Sequence, residues 1–120
     1  FAVRLQLTEP LPAVAVPAPA LESVLATLIE NSRQAGAHNL TLTAEALPNT
    51  LVLSAQDDGP GVPAADRSRL FEPFFTSRRA QGGTGLGLAI ARSLLSASHG
   101  KIELVESDAG VRFDLTLPRA

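Results

Sequence analysis

The sequence predicts an α+β domain, a two-layer sandwich in which helices cover one face of a mixed, mostly antiparallel sheet. Segments with apolar residues at every second position predict strands, and two pairs of them are joined by short turns, as in hairpins. Segments with apolar residues three or four positions apart predict about three helices. Strands and helices do not alternate regularly, which favours this class over a parallel α/β fold.

The first half of the chain contains one predicted helix between predicted strands. Val3, Leu5 and Leu7 alternate with polar residues, which predicts a half-buried strand. After a proline-rich stretch, an amphipathic helix is predicted from Ala20 to about Ala37, with Gly36 as its end. Two alternating runs follow, at 40–46 and 51–55, and the Pro48-Asn49 turn between them predicts a hairpin.

The second half predicts two more helices and a second hairpin. A short helix is expected from Ala64 to Leu70, and a longer one from about Leu86 to Ser98, where His99 is expected to cap its end. Two strands are then predicted, one around Ile102 and Leu104 and one over 111–117, with a turn at 107–110.

Composition limits the possible functions. A chain of 120 residues is expected to form one domain, and 45% apolar residues argue against disorder. The net charge of −2 argues against a nucleic-acid partner. The lack of cysteine excludes a disulfide framework, and no apolar run approaches the roughly 18 residues of a membrane span. We therefore expect a cytoplasmic domain without direct membrane contact. A start at Phe1 within a strand-like pattern suggests a fragment of a longer protein, whose other part could hold a membrane anchor.

A glycine-rich loop that opens a helix is the main candidate for ligand binding. Four glycines lie among residues 82–87, and the helical pattern begins directly after them. Free N–H groups at a helix start favour phosphate, although such a loop can also be merely flexible. The Walker pattern needs a lysine that is absent here, and the dinucleotide fingerprint has a different glycine spacing. A third kind of phosphate loop is therefore required.

Polar residues within the first helix are candidates for metal chemistry. Asn31 lies at the edge of the apolar face, and its amide oxygen is a donor that Mg²⁺ accepts. A surface or capping amide is the alternative. The adjacent Glu30 could orient a nucleophile or water, or simply be a solvated charge.

A carboxylate and an aromatic cluster complete the candidates. Asp57 ends a predicted strand before a glycine turn, where it could accept a hydrogen bond from a ligand amine; a simple turn is the alternative. The segment Phe71–Phe75 predicts a local hydrophobic plug that anchors a lid over 76–83. Arg78 in that lid could reach phosphate oxygens.

In this order, the motifs resemble the ATP-binding catalytic domain of sensor histidine kinases, within the group shared with DNA gyrase B, Hsp90 and MutL. The resemblance spans about Leu21 to Pro118. It rests on four segments that match the family's asparagine box, first glycine box, phenylalanine box and second glycine box: Leu25–Ser32, Asp57–Gly61, Phe71–Phe75 and Gly83–Leu88. The implied fold is the Bergerat-type ATP-binding fold.

The resemblance implies ATP and Mg²⁺ as cofactors and a role for each matching residue. Asn31 would coordinate Mg²⁺, Asp57 would accept from the adenine amino group, and catalytic roles would fall to Asn31, Glu30 and Arg78. The implied nucleotide contacts are Asn31, Gln34, Ala35, Asp57, Gly59, Gly61, Val62, Arg78, Gly83, Thr84, Gly85, Leu86, Gly87 and Leu88. Thr27 and Gln34 depart from the asparagine and lysine common in the family, which puts the strength of the triphosphate contacts in doubt.

The resemblance also implies partners, because the phosphorylated histidine of the family lies on a separate dimerisation domain. Neither His38 nor His99 has the required context, an acidic residue after it on a long helix. The chain is thus expected to bind ATP and to phosphorylate a histidine of the same protein's dimerisation domain, which then serves a response regulator. The alternatives are an ATP-binding switch or serine kinase of the same fold, and a degenerate module that only mediates interactions.

Overall fold

The computed structural model describes residues 1–7, 10–75 and 85–120. One 3-10 helix, Ala64–Arg69, lies among the helices and strands of this part of the chain. The other elements are β1 (Ala2–Gln6), α1 (Ala18–Gln34), β2 (Asn39–Ala46), β3 (Thr50–Asp57), α2 (Gly87–Ser96), β4 (Lys101–Val105) and β5 (Arg112–Pro118).

The five strands form one sheet in the order β1-β2-β3-β5-β4. β1 runs parallel to β2, and the other neighbouring pairs are antiparallel. Both predicted hairpins, β2–β3 and β4–β5, are present. The α+β class with a mixed, mostly antiparallel sheet is confirmed, and the third of the predicted helices is the 3-10 helix.

The hydrophobic core lies between the helices and one face of the sheet. Val24 and Leu28 of α1 and Leu95 of α2 are at most 2% exposed. Alternate residues of the strands meet them, as the side-chain period of two requires: Leu40, Leu42, Leu51, Leu53, Ala55, Ile102, Phe113, Leu115 and Leu117. No helix within the described residues is both long enough and apolar enough to cross a bilayer.

The prediction of a half-buried first strand is wrong. All five residues of β1 are exposed, and the side chain of Leu5 retains 65% of its accessible surface. β1 is an edge strand that pairs only with β2, and the buried residues of the helices pack over the central strands. Alternation therefore identified a strand correctly, but it does not say whether a helix covers that strand.

Glycine and proline set the bounds of α1. Pro17 immediately precedes its first residue, and Pro19 lies in its first turn, where the missing N–H has no intrahelical partner to lose. Gly36 lies just beyond the C-terminal end of the helix at φ +86°, a conformation that glycine adopts readily. At the end of α2, His99 lies beyond the last turn with φ +63°, and its N–H donates to the carbonyl of Ser96 at 3.1 Å.

Asp58 joins the end of β3 to the start of β2. One of its carboxylate oxygens accepts from the N–H groups of His38 and Asn39 at 2.7 and 2.9 Å, and the other accepts from Asn39 Nδ2 at 2.9 Å. These bonds, the Asn39 side chain first among them, lower the pKa of Asp58 to about 2. Asp58, the second of the two adjacent aspartates 57 and 58, therefore has a structural role.

We expect Asp58 to make folding stability depend on pH below about 4. Its folded-state pKa lies below the ordinary value of 3.8, so its contribution is complete above that value and is lost as pH falls towards about 2. Urea unfolding of the unaltered protein and of Asp58→Asn should therefore differ most above pH 4 and converge towards pH 2. A difference that stays constant across this range would contradict the role of Asp58.

Candidate functional site

A cleft lies between the C-terminal half of α1, the end of β3 and the start of α2. Its volume is about 490 Å³, within the range of small-molecule sites. The turn after β3, the 3-10 helix and the start of β5 close its other sides. Its lining comprises Ser23, Ala26, Thr27, Glu30, Asn31, Ser32, Gln34, Ala35, Asp57, Gly61, Val62, Pro63, Asp66, Leu70, Phe75, Gly85, Gly87, Leu88, Val111 and Phe113.

The Asp57 carboxylate is fixed in place by three elements. It is 5% exposed. Its Oδ1 accepts from the backbone N–H of Gly59 at 3.0 Å and of Val111 at 2.9 Å. Its Oδ2 accepts from Ser32 Oγ of α1 at 2.7 Å. A helix, the turn after β3 and the residue directly before β5 thus hold one buried acid, as a polar group removed from water requires.

The turn between β4 and β5 approaches Asp57 so closely that only glycine fits there. Gly110 has φ +67°, and a Cβ built on it would overlap the carbonyl oxygen of Asp57. The carbonyl of the next residue, Val111, accepts from the backbone N–H of Asp57, and the Val111 N–H donates to the Asp57 carboxylate. Val111 therefore holds one oxygen of the acid, and α1 holds the other.

The amide of Asn31 faces the cleft. The residue is half-buried, and its side chain makes no hydrogen bond within residues 1–7, 10–75 and 85–120. Its neighbour Glu30 is exposed and is paired with Arg33 and, at 3.2 Å, with Gln34 Nε2. The hydrogen bond from Arg33 lowers the pKa of Glu30. An uncommitted amide and an ionised carboxylate therefore lie side by side at the cleft.

The start of α2 is joined to the aromatic segment before it. The N–H of Phe74 donates to the carbonyl of Gly85 at 2.6 Å. Gly85 has φ +77°, and a Cβ on it would overlap the backbone of Phe74. Beyond this contact, Gly87 and Leu88 in the first turn of α2 line the cleft, and the N–H groups of a first helical turn have no intrahelical acceptor.

The aromatic segment 71–75 is divided between core and cleft. Phe71 packs edge-on against Phe113 of β5, with ring centroids 6.2 Å apart. Phe75 lines the cleft, and the guanidinium of Arg69 lies 4.5 Å from its ring centroid. Phe74 is 64% exposed. The predicted hydrophobic plug therefore describes Phe71 better than the residues that follow it.

The structure gathers most of the predicted site residues at this cleft. Gly59 and Leu86 do not line it; Gly59 instead holds Asp57 through its N–H, and Leu86 directly precedes α2. Arg78, Gly83, Thr84 and the predicted lid over 76–83 lie outside the described residues. The predicted residues that do line the cleft are Glu30, Asn31, Gln34, Ala35, Asp57, Gly61, Val62, Gly85, Gly87 and Leu88.

Sequence reasoning missed the partners of Asp57. A signal for Ser32 existed, because Val24, Leu28 and Ser32 are spaced by four residues and are the three buried residues of α1. A hydroxyl at the third of these core positions needs a polar partner. No comparable signal existed for Val111, which lies 54 residues from Asp57 and contributes only its backbone N–H to the carboxylate.

The donor set fits Mg²⁺ that arrives with a phosphate ligand. The described residues contain no group of three or more histidines, cysteines or carboxylates that could hold a metal by themselves. Asn31 offers one neutral oxygen, and Mg²⁺ is commonly held by few protein ligands together with phosphate oxygens and waters. The residues present therefore suit a metal that bridges the protein to a nucleotide.

Comparison with known sequences identifies relatives among bacterial sensors. Residues 17–120 match the family described as histidine kinase-, DNA gyrase B-, and HSP90-like ATPase. The chain is 37% identical over 101 residues to the sensor histidine kinase GtrS of Pseudomonas aeruginosa, covering 83% of this chain and 21% of GtrS. It is 40% identical over 91 residues to the tetrathionate sensor histidine kinase TtrS of Salmonella typhimurium, covering 76% of this chain and 15% of TtrS. The chain thus spans about a fifth or less of these relatives.

Solved structures show the same fold. The nucleotide-free catalytic domain of histidine kinase ThkA superposes with a TM-score of 0.82 at 28% identity, over 99% of this chain and 78% of that one. Full-length ShkA in complex with AMPPNP gives 0.80 at 27% identity, over 99% and 26%. ThkA in complex with the response regulator TrrA gives 0.76 at 27% identity, over 100% and 34%.

Two glycine substitutions should separate backbone strain from the bracing of Asp57. Gly36→Ala and Gly110→Ala both place a side chain at positive φ, which costs about 1 to 2 kcal/mol. A Cβ at Gly36 meets nothing within 4 Å, whereas one at Gly110 overlaps Asp57. We expect Gly110→Ala to lower the free energy of unfolding by at least about 2 kcal/mol more than Gly36→Ala, measured by urea titration. Equal losses would mean that Gly110 serves only the turn.

Proposed function

Because this chain belongs to the histidine kinase-, DNA gyrase B- and HSP90-like ATPase family, we propose that it binds Mg-ATP in the cleft and donates the γ-phosphate to a histidine of a separate dimerisation domain. The observation that carries this proposal is the convergence of three groups in one cleft. These are the amide of Asn31, which makes no hydrogen bond with another described residue, the buried carboxylate of Asp57, and the first turn of α2.

The adenine would lie against Asp57. A carboxylate held in a buried position selects an N–H donor such as the adenine amino group, because a mismatched ligand would cover its remaining acceptor position without a hydrogen bond. Gly61 and Val62 would form a wall of this pocket, while Gly59 would act through the hydrogen bond to Asp57. AMPPNP in the ShkA structure supports an ATP-type ligand for this fold.

The phosphates would lie between Asn31 and α2. The N–H groups of Gly87 and Leu88, with Gly83, Thr84, Gly85 and Leu86 before them, would hold phosphate oxygens at the positive end of the helix. Mg²⁺ on Asn31, when bound, would neutralise charge on the phosphates. Gln34 and Ala35 would border this end, and Arg78 would reach the phosphates from the segment before the helix.

Phosphoryl transfer demands positioning more than covalent chemistry from the protein. The lowered pKa of Glu30 keeps this carboxylate ionised and makes it a weak proton acceptor. Glu30 would therefore orient the incoming nucleophile rather than remove its proton. His38 precedes β2 and His99 follows α2, so neither lies on a long helix. The phosphorylated histidine would therefore come from the dimerisation domain.

The partners follow from the same proposal. GtrS and TtrS, named as sensor histidine kinases, are several times longer than this chain, which leaves room for a dimerisation domain in a longer parent protein. The ThkA–TrrA complex pairs a histidine kinase with a response regulator, and we propose a response regulator as the recipient here too.

The role of Asn31 predicts a specific effect on metal dependence. Calorimetric titration with ATP in MgCl₂ and in EDTA should show that Mg²⁺ strengthens binding. Asn31→Ala should remove about tenfold or more of that enhancement, since the metal loses its protein ligand. Asn49→Ala, which removes the same amide from the exposed β2–β3 turn, is the matched control and should bind as the unaltered protein does. Equal enhancement in all three proteins would contradict a metal site at Asn31.

Phosphotransfer tests the acceptor. The parent protein that includes the dimerisation domain, incubated with ATP labelled on the γ-phosphate, should acquire phosphate that is labile in acid and stable in base, as a phosphohistidine is. Asp57→Asn should slow labelling at limiting ATP, and Asp108→Asn, which changes an exposed carboxylate outside the cleft, should not. Acid-stable phosphate would favour a serine kinase. Binding of Mg-ATP without labelling would favour a switch, and no binding would favour a degenerate module.

A further inference from the structure

The hydroxyl of Ser32 holds one oxygen of the buried acid, and nothing in the roles assigned above uses it. Ser32 is 6% exposed, lines the cleft and donates to Asp57 Oδ2 at 2.7 Å. Val111, directly before β5, contributes its backbone N–H to the other oxygen, so Ser32 is the one hydroxyl among the described donors to this acid.

The hydrogen bonds around Asp57 leave one acceptor position free. An ionised carboxylate has about four lone-pair sites, two on each oxygen. Gly59 and Val111 occupy both sites of Oδ1. Ser32 occupies one site of Oδ2. One site on Oδ2 therefore remains within the described structure, and it can accept from one N–H group of a ligand.

The geometry also fixes the direction of that free site. Two backbone N–H groups restrain Oδ1, but they leave the carboxylate able to tilt about them. The bond from α1 to Oδ2 removes this freedom, since its donor lies on a helix packed into the core. A bond to an ionised group is also stronger and more directional than one between neutral groups.

We propose that Ser32 is a positioning residue for base selection: by occupying one site of Asp57 Oδ2, it aims the other at a single exocyclic amine of the ligand. This inference rests on the proposed nucleotide binding and deepens it. Ser32 touches the acid and not the reacting phosphates, so its effect should appear only for ligands that carry the amine.

The test compares two ligands that differ only in that amine. Binding of Mg-ATP and of purine riboside triphosphate, which lacks the 6-amino group, is measured by calorimetry for the unaltered protein and Ser32→Ala. We expect Ser32→Ala to weaken Mg-ATP binding about three- to tenfold and to leave the binding of the analogue within about twofold. Ser32→Thr, which keeps the hydroxyl, should restore the preference for ATP.

A purely structural Ser32 gives a different result. Loss of the hydrogen bond between α1 and Asp57 would then weaken the binding of both ligands equally. An equal loss of affinity for the two ligands, or no loss for either, would overturn the proposal. Ser93→Ala removes a hydroxyl from an exposed position of α2 outside the cleft and should change neither affinity. Where Ser32→Ala does not fold, Ser32→Cys replaces the hydroxyl by a weaker donor and should give a smaller loss confined to ATP.

The failure of this inference is distinguishable from failure of the proposed function. If the unaltered protein binds Mg-ATP and Ser32→Ala changes the affinity for both ligands by the same factor, only the role of Ser32 is refuted. An unaltered protein that binds no Mg-nucleotide at millimolar concentration refutes the proposed function and, with it, the inference.

Discussion

The buried carboxylate of Asp57 is the constraint on which the site depends. A charge in such a position is tolerated only when hydrogen bonds replace its lost hydration. Three parts of the chain supply them: α1 through Ser32, the turn after β3 through Gly59, and Val111 directly before β5. Satisfying this one group therefore brings together the parts of the chain that form the back of the cleft.

The same arrangement relates the two ends of the cleft. Asn31 and Ser32 are adjacent on α1. The amide of Asn31 faces the cleft, whereas the hydroxyl of Ser32 donates to the Asp57 carboxylate. A rigid helix thus sets the position of the proposed metal ligand relative to the proposed base pocket. Sites built on packed helices and strands hold their geometry better than sites built on loops.

The sequence predicted much of the fold and most of the residues at the cleft. Periodicity located α1, α2 and both hairpins, because local patterns of burial repeat along one element. It could not show that β1 is uncovered, since exposure at a sheet edge depends on where the helices pack. It singled out Asp57 as the ligand acceptor, but it could not identify the partners that hold Asp57 and Asp58, because Val111, His38 and Asn39 are distant from them in sequence. Of the predicted residues at the start of α2, Gly85 and Gly87 line the cleft, whereas Leu86 between them does not.

The hydrogen bonds around Asp58 and Gly59 also affect the chemical durability of the chain. An aspartate followed by glycine is a sequence prone to cyclise to a succinimide and reopen as isoaspartate, when the glycine nitrogen attacks the neighbouring carboxyl carbon. Here the Gly59 N–H donates a hydrogen bond to the Asp57 carboxylate. The Asp58 carboxylate is ionised and accepts hydrogen bonds from His38 and Asn39. Both reacting groups are occupied in the folded state. Isoaspartate at this position would therefore record how often the domain opens, and it would accumulate with age only as fast as opening allows.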